Sequence, residues 1–384
     1  MTIIFVTHYT GLYGANRSML TLIQLLRSRY AIHPIVLIPY SEGPLLDLLK
    51  ESDIQYYVES YSWWVLTYFD SMPSKRLNLK QQLRNIFCAF RLKKLFKGQK
   101  IDAVYTNSVT INIGSLLAFI LQVPHVWHFR ESIGQFGLKM TMPPILSKLI
   151  INLPTNKRFV LLSDFMIAEY RNFLPTKKVR RIYNGVSLPK GIKQRFKNQM
   201  CDGILQIACV GNLCIHKNQL ELLKALQMLR EKNIVVHAHF VGVENPEYLE
   251  EMNTYIRRNN IEEMVTIHGH TDNVFAILET CNLGVVTARD EAFGRVTIEY
   301  MLMKMPVVAS DSGANPELVD DGITGMIYHL GNVLELADSI RVYANNPTLI
   351  EQQGENAYTK AVSEFSAEKN ADLIYSEVEK IICV

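Results

Sequence analysis

The chain has 384 residues, room for two or three domains with sizeable cores, and its 48% apolar and 20% charged residues are those of an ordinary soluble globular protein. A formal charge of +3 is too small to point to nucleic acid by itself, so the distribution of charge matters more than its total. No apolar run reaches the ~18–20 residues that a bilayer-spanning helix needs. The opening Met1-Thr-Ile-Ile-Phe-Val-Thr-His has no basic n-region and reads as a first strand rather than a signal peptide. The six cysteines (88, 201, 209, 214, 281 and 383) contain no C-x-x-C pair, which argues for buried free thiols in a reducing cytosol and against a zinc site.

Short apolar runs alternate with amphipathic stretches along the chain, the pattern of βαβ units and parallel sheets. In the first half the expected strands are Ile3–Thr7, Ile35–Ile38, Ala103–Thr106, His125–Phe129, Arg158–Leu162 and the weaker Val179–Ile182. The loop from Thr7 to Ser18, with Gly11 and Gly14, joins the first strand to a helix over Met19–Arg27. It lacks the third glycine and the acidic ribose partner of a dinucleotide fingerprint. At the end of His125–Phe129 the cluster His128-Phe-Arg130-Glu131 sends three polar side chains out together.

Residues 188–203 carry Lys190, Lys193, Arg195 and Lys197 with few apolar residues and read as a linker. Strands resume at Leu205–Gly211, Val235–Gly242, Val265–Gly269, Leu283–Ala288, Pro306–Ala309 and Met326–Tyr328. Two successive α/β sheets predict two domains facing each other across a cleft.

The second half holds the most informative chemistry. After the strand Leu205–Gly211, Asn212 and Lys217 lead into a helix over Gln219–Glu231, where Lys217 can pair with a phosphate. His268-Gly-His270 ends a further strand; with His237 and His239 it forms two alternate-residue pairs, and no Cys or acidic partner lies at metal-ligand spacing. Glu291-Ala-Phe-Gly-Arg-Val-Thr-Ile-Glu299 begins where a strand ends and continues as a helix. Its first helical N–H groups favour an anion. Glu291 stands at the carboxyl end of the strand, the edge at which open α/β sheets bind ligands, and Glu299 one turn into the helix. One carboxylate can accept bonds from sugar hydroxyls and the other from a ribose.

The Glu291–Glu299 segment resembles the E-x7-E signature of the retaining glycosyltransferases of family 4, which have the GT-B fold. Three further stretches are similar to segments of that family. Gly14-Ala15-Asn16-Arg17 looks like its G-G-A-E-R loop, with Asn16 in place of the glutamate. Gly211-Asn212 to Lys217 looks like G-R-x4-K, with Asn212 in place of the arginine. The run Asp311 to Gly325 is similar to its G-x-x-E-x-x-x-D-G-x-x-G scaffold.

The resemblance implies an α/β protein of two Rossmann-like domains: residues 1–190 on the acceptor side, a linker at 191–203, a nucleotide-sugar domain at 204–365, and a C-terminal helix, 366–384, packing back on the first domain. It implies a hexosyltransferase that retains anomeric configuration, takes a UDP-sugar as donor and a saccharide as acceptor, and needs no cofactor and no metal. His128 and Glu291 would act on the sugar. Lys217, Asn212 and Arg295 would receive the diphosphate at the helix entrance near Gly294. Glu299 would hold the ribose, with the backbone of Phe293, Gly294 and Val296 beside it. His268 would lie at the base and Gly14 against the donor phosphate or the acceptor, with Asn16, Arg130 and Glu131 facing the acceptor. Two other readings fit the same sequence, a GT-B nucleotide-sugar epimerase and a non-catalytic GT-B assembly partner.

Between Lys75 and Lys100 there are nine Lys/Arg and no acidic residue, interleaved with Leu77, Leu79, Leu83, Ile86, Phe87, Phe90, Leu92, Leu95 and Phe96. Tyr61, Trp63, Trp64, Tyr68 and Phe69 lie upstream. A basic amphipathic helix beside aromatic residues predicts peripheral attachment to the anionic inner face of the cell membrane, and no nucleic-acid module accompanies it. That surface suggests a polyprenyl-diphosphate-linked acceptor, as in assembly of a surface polysaccharide.

Overall fold

The structure, a computed structural model, describes residues 1–67, 75–189, 191–192, 200, 203–271 and 273–383. Tyr68, Phe69, Lys190, Lys193, Arg195 and Lys197 lie outside the described residues. The chain divides into two compact units, Met1–Gly185 with Ala367–Val384, and Val186–Ser366. Each is a parallel α/β sheet flanked by helices.

In the first unit, strands β1 (Thr2–Val6), β2 (His33–Ile38) and β3 (Gln55–Val58) alternate with helices α1 (Gly14–Tyr30) and α2 (Pro44–Glu51). A short β4 (Val65–Leu66) precedes α3 (Lys75–Leu95), β5 (Ala103–Thr106), α4 (Ile113–Leu121) and β6 (His125–Phe129). Then come α5 (Ile133–Phe136), β7 (Lys139–Met140), α6 (Pro144–Ile151), β8 (Asn156–Leu161), α7 (Asp164–Tyr170) and β9 (Val179–Arg181). The seven-stranded sheet has the order β3-β2-β1-β5-β6-β8-β9, all pairs parallel, while β4 and β7 form a separate antiparallel pair.

The apolar run of β1 reflects burial on both faces. Ile3 and Phe5 enter one core with Met19, Leu22, Ile23 and Leu26 of α1, whereas Ile4 and Val6 enter a second core with Leu92 of α3 and Leu117 of α4. Successive residues of a strand point to opposite faces, so one sequence run serves both cores.

The second unit runs β10 (Leu205–Val210), α8 (Gln219–Glu231), β11 (Val236–Val241), α9 (Pro246–Arg258), β12 (Val265–Gly269) and α10 (Val274–Leu278). It continues through β13 (Leu283–Val286), α11 (Arg295–Leu302), β14 (Val307–Ser310), α12 (Asn315–Leu318), β15 (Gly325–Tyr328), α13 (Val333–Ala344) and α14 (Pro347–Glu364). Its parallel six-stranded sheet has the order β12-β11-β10-β13-β14-β15.

The last helix, α15 (Ala367–Ile382), belongs to the first unit. Ala371, Ile374, Val378 and Ile381 complete the core that Ile3 and Phe5 enter. Tyr375 stacks on Tyr30 with ring centroids 3.8 Å apart, and Glu377 holds Arg158 at 2.6 Å.

Candidate functional site

In the second unit, two loops at the carboxyl ends of the strands are built on glycine. A Cβ on Gly242 would lie 2.1 Å from the carbonyl oxygen of Gly211, so the two backbones meet where no side chain fits. The loop then runs to Asn218, in the left-handed region at φ 55°, before α8 begins.

The neighbouring loop after β13 is stitched to it. Thr287 Oγ1 donates to the Lys217 carbonyl at 2.7 Å, and the Arg289 N–H donates to the His216 carbonyl at 2.9 Å. Lys217 Nζ donates to Glu291 Oε2. Gly313, at φ 66°, lies so close beneath this loop that a Cβ would stand 2.3 Å from Glu291 N. Ala314 N–H in turn donates to the Glu291 carbonyl at 2.8 Å.

Gly294, left-handed at φ 72°, turns the chain into α11, whose start has no side-chain cap. Its first N–H groups are therefore a place for an anion. Thr297 Oγ1, in the first turn, is buried without a hydrogen-bond partner. Arg295 and Glu299 form an i,i+4 ion pair at 3.6 Å on this helix. Tyr300 is buried and its hydroxyl accepts the Val210 N–H at 2.7 Å, which fixes α11 against β10. Gly284 makes room for its ring, since a Cβ there would lie 2.2 Å from it.

The second unit thus brings together Lys217, Glu291, Gly294, Arg295 and Glu299. Each expected cation is paired with one of the two carboxylates. Phe293 is buried against Phe365, ring centroids 6.0 Å apart, so only its backbone is available to a ligand. Val296 is half-buried beside it and Asn212 is exposed, its carbonyl accepting from Gln219 Nε2 at 3.0 Å.

His268 is bonded to a neighbouring histidine rather than standing alone: its Nε2 lies 3.0 Å from His239 Nδ1. Burial holds His239 down at about 4, with His237 and His268 adding to the effect, and burial also lowers His268. Among the described residues no group of three His, Cys, Asp or Glu has the geometry to hold a metal ion.

In the first unit, residues at the carboxyl ends of β1, β5 and β6 converge. His128 is buried within β6, its Nδ1 bonded to the Tyr105 hydroxyl and its Nε2 without a partner. Burial first, and then the charge of Arg130, push its basicity well below the ordinary histidine value. His8 is 7% exposed with Nδ1 unpartnered, and the same two causes lower it to about 3. Arg130 donates from Nε to Asn107 Oδ1 at 2.9 Å and from Nη1 to Asn184 Oδ1.

Two residues expected to face an acceptor do other work. Glu131 is buried, accepting from Ser108 Oγ at 2.7 Å, Val109 N–H at 3.0 Å and Arg130 N–H at 3.2 Å. Burial raises its carboxyl, against the opposing pull of those bonds. Asn16 is fully buried; its Oδ1 accepts from Thr7 Oγ1, and its Nδ2 donates to the carbonyls of Tyr9 at 3.0 Å and Gly11 at 2.8 Å. Asn16 is spent inside its own loop, and Glu131 ties the loop after β6 to the loop after β5. Gly14 is exposed at the first position of α1. His8, Tyr9, Asn107 and Asn184 were not singled out from the sequence; their only sequence signal is their place at strand ends.

The basic segment forms α3, and it is apolar on two sides. Cys88, Ala89, Leu92 and Phe96 enter the core, while Leu83, Ile86, Phe87 (65% exposed), Phe90 and Leu95 face solvent. Arg84, Lys93, Lys94 and Lys97 are exposed around them. The aromatic residues upstream do not extend this surface as expected, because Tyr61 and Trp64 are buried in the core. Helix α6 instead exposes Ile145 (75%), Leu146 and Leu149. No described helix is long and apolar enough to cross a membrane.

Comparison with known proteins agrees with this architecture. The model of "Glycosyltransferase Family 4" matches residues 13–189, and that of "Glycosyl transferases group 1" matches residues 192–360. An uncharacterized glycosyltransferase of Methanocaldococcus jannaschii is 23% identical over 337 residues, 84% of this chain and 90% of that protein. The alpha-1,3/1,6-mannosyltransferase of Homo sapiens is 26% identical over 142 residues, 36% of this chain and only 34% of that protein. The crystal structure of Anabaena HepE in complex with UDP superposes with a TM-score of 0.79 at 21% identity, covering 99% of this chain and 100% of that one. With one glycosyltransferase model on each half and this fold, the chain belongs to the GT-B glycosyltransferases of the family 4 type.

Proposed function

We propose that the protein is a retaining hexosyltransferase that moves a sugar from a nucleotide sugar, a UDP-sugar, to a saccharide acceptor without a metal ion. The observation that carries this reading is the pairing of Lys217 with Glu291 and of Arg295 with Glu299 around the uncapped start of α11. A diphosphate at that helix start meets N–H dipoles and two cations, which stabilise the departing charge as a metal would. Glu291 then turns to the sugar hydroxyls and Glu299 to the ribose. HepE, with the same fold, was crystallised with UDP, which supports the choice of donor.

In the proposed step the bond from the anomeric carbon to the diphosphate breaks and its electron pair leaves on the nucleotide. The acceptor hydroxyl bonds the same face of that carbon and gives up its proton to the departing phosphate oxygen. His128, assigned to the sugar, has a buried neutral ring whose Nε2 lacks a hydrogen-bond partner. Asn212 brings no charge, so Lys217 and Arg295 carry the cationic share.

We assign the acceptor to a lipid-linked saccharide of polysaccharide assembly at the inner face of the cell membrane. The support is the exposed apolar and basic face of α3. Calorimetric titration with UDP in EDTA, followed by NMR of the product's anomeric proton, tests the reading. Binding and an unchanged anomeric configuration are expected; an absolute requirement for magnesium or manganese, or inversion, would overturn it.

A further inference from the structure

Strand β9 is the outer strand of the first sheet, and α7 beside it is only seven residues long. Ser163 caps the start of α7 by accepting the Met166 N–H at 3.2 Å, and the chain leaves the helix through Pro175 into a 3₁₀ turn, Thr176–Lys178. A helix this short does not cover the whole edge it packs on. A slot of about 180 Å³ remains, walled by Leu161 and Val179 of the sheet and by Tyr170 and Leu174 of α7 and its exit. An apolar cavity of about 150 Å³ takes up benzene, so this slot has room for one small hydrocarbon group.

The mouth carries charge of one sign. Arg171 and Thr176 line it and are exposed, and Lys177, the next residue, is exposed as well. Neither the Arg171 guanidinium nor the Lys177 ammonium has a hydrogen-bond or ion-pair partner among the described residues. The two carboxylates of α7 are already engaged. Asp164 Oδ2 accepts from Arg181 Nη1 at 2.5 Å, and Glu169 accepts from the Ser132 hydroxyl at 3.1 Å and the Gly134 N–H at 2.8 Å. Arg180 Nη1 folds back on the Val179 and Lys177 carbonyls at 2.7 and 3.1 Å, which closes this edge to an added peptide strand.

An apolar slot with two unpaired cations at its opening selects an amphiphile with an anionic head, and an arginine fork beside a lysine suits a phosphate. A glycerophospholipid brings two chains and a glycerol spacer between chain and phosphate. A prenyl phosphate carries its phosphate directly on a compact, branched first unit, so filling the slot brings the head to Arg171.

We propose that this slot binds the phosphate end of a prenyl chain, with the first isoprene unit between Tyr170 and Leu174 and the phosphate across Arg171 and Lys177. The proposal rests on the reading of a lipid-linked acceptor and gives the lipid carrier a site of its own in the first unit. The slot is joined to the cluster after β6, because the Tyr170 hydroxyl donates to the Glu131 carbonyl at 2.9 Å and its ring meets Phe129 edge-on at 4.9 Å.

The test titrates the full chain by calorimetry with geranyl phosphate, beside geraniol and inorganic phosphate, which carry the tail and the head separately. Geranyl phosphate should bind about tenfold or more tightly than either. Arg171→Glu should weaken it by about tenfold or more. Thr176→Trp, which fills the mouth from an exposed position and leaves the core alone, should abolish binding. Both variants should keep wild-type affinity for UDP. Binding of geranyl phosphate no tighter than that of geraniol or phosphate, or wild-type binding in either variant, would overturn the site. Displacement of geranyl phosphate by UDP would place it in the donor loop, and displacement by dihexanoyl phosphatidylglycerol would replace the prenyl chain by a membrane phospholipid; each outcome overturns the assignment. Failure of the wild type to bind UDP would overturn the donor reading alone, since geranyl phosphate is titrated without donor.

Discussion

Lys217 Nζ donates to Glu291 Oε2, joining the loop before α8 to the loop before α11. The lysine proposed to receive a diphosphate and the carboxylate proposed to receive a sugar therefore hold each other in the free protein. In the proposed function an incoming diphosphate competes with Glu291 for Lys217. We predict that Lys217→Ala weakens UDP binding about tenfold or more, ~1.4 kcal/mol, whereas Glu291→Gln leaves it unchanged or tighter while lowering turnover. Equal loss of UDP affinity in both variants, by calorimetry, would show that the pair acts only as a structural clamp.

Arg295 is tied to Glu299, the carboxylate proposed to hold the ribose, at 3.6 Å, so its charge is shared between that carboxylate and the helix start. Placing an arginine at the exposed position 212 should add a cation to the phosphate loop without disturbing that pair. Asn212→Arg is expected to bind UDP several-fold more tightly, and Arg295→Ala to bind it more weakly. A titration in which Asn212→Arg behaves as the wild type would remove the phosphate from that position.

Much of this was legible beforehand, for a physical reason. Both faces of β1 or β14 are covered by helices, so a buried strand announces itself as an unbroken apolar run. Edge strand β3 does not, because Gln55 and Val58 are exposed and its tyrosines half-buried. Residue type and position placed Lys217 with Glu291, but hydrogen-bond partners are not written in a sequence. Asn16 and Glu131 are polar at strand ends like any ligand-binding residue. Only the structure reveals that Asn16 is used within its own loop and Glu131 in bonding the neighbouring loop after β5.

Three histidines of the first unit are kept neutral by burial: His8 at about 3, His125 at about 4, and His128 well below the ordinary value. The unfolded chain protonates them near pH ~6.5, so below that value it binds more protons than the native state. Their stabilising effect is therefore fully present above pH ~6.5 and is lost as the pH falls towards about 4. The melting temperature should drop steeply across that window, and histidine ring resonances of these three residues should not titrate between pH 7 and pH 5. Titration of any of them with a midpoint near 6.5 would contradict their burial.

The exposed faces of α3 and α6 predict reversible attachment to anionic bilayers. Each basic residue near such a surface contributes on the order of 1 kcal/mol, screened by salt. Changing Arg84, Lys93, Lys94 and Lys97 to Glu should abolish sedimentation with phosphatidylglycerol liposomes, and Phe87→Ser with Ile145→Ser should weaken it at every salt concentration. UDP binding should be unaffected in both. Wild-type protein that stays in the supernatant at low salt would remove the membrane assignment.

Gly313 lies directly beneath Glu291, with no room for a methyl group. Gly313→Ala should displace the loop, costing roughly 1–3 kcal/mol of stability through its positive φ and the overlap. Turnover should fall more than UDP affinity, because Lys217 and α11 are anchored independently by Thr287 and Tyr300. Wild-type turnover in that variant would mean that Glu291 needs no exact placement.

Helix α15 is made after the whole second unit, yet its Ala371, Ile374, Val378 and Ile381 finish the core begun by Ile3 and Phe5. During synthesis the first 185 residues emerge with an uncovered apolar strip and wait for the whole second unit to be made. Vectorial folding, first part first, is thereby denied to this chain. Its opening unit is the last to close, and until then a chaperone has a binding surface to hold.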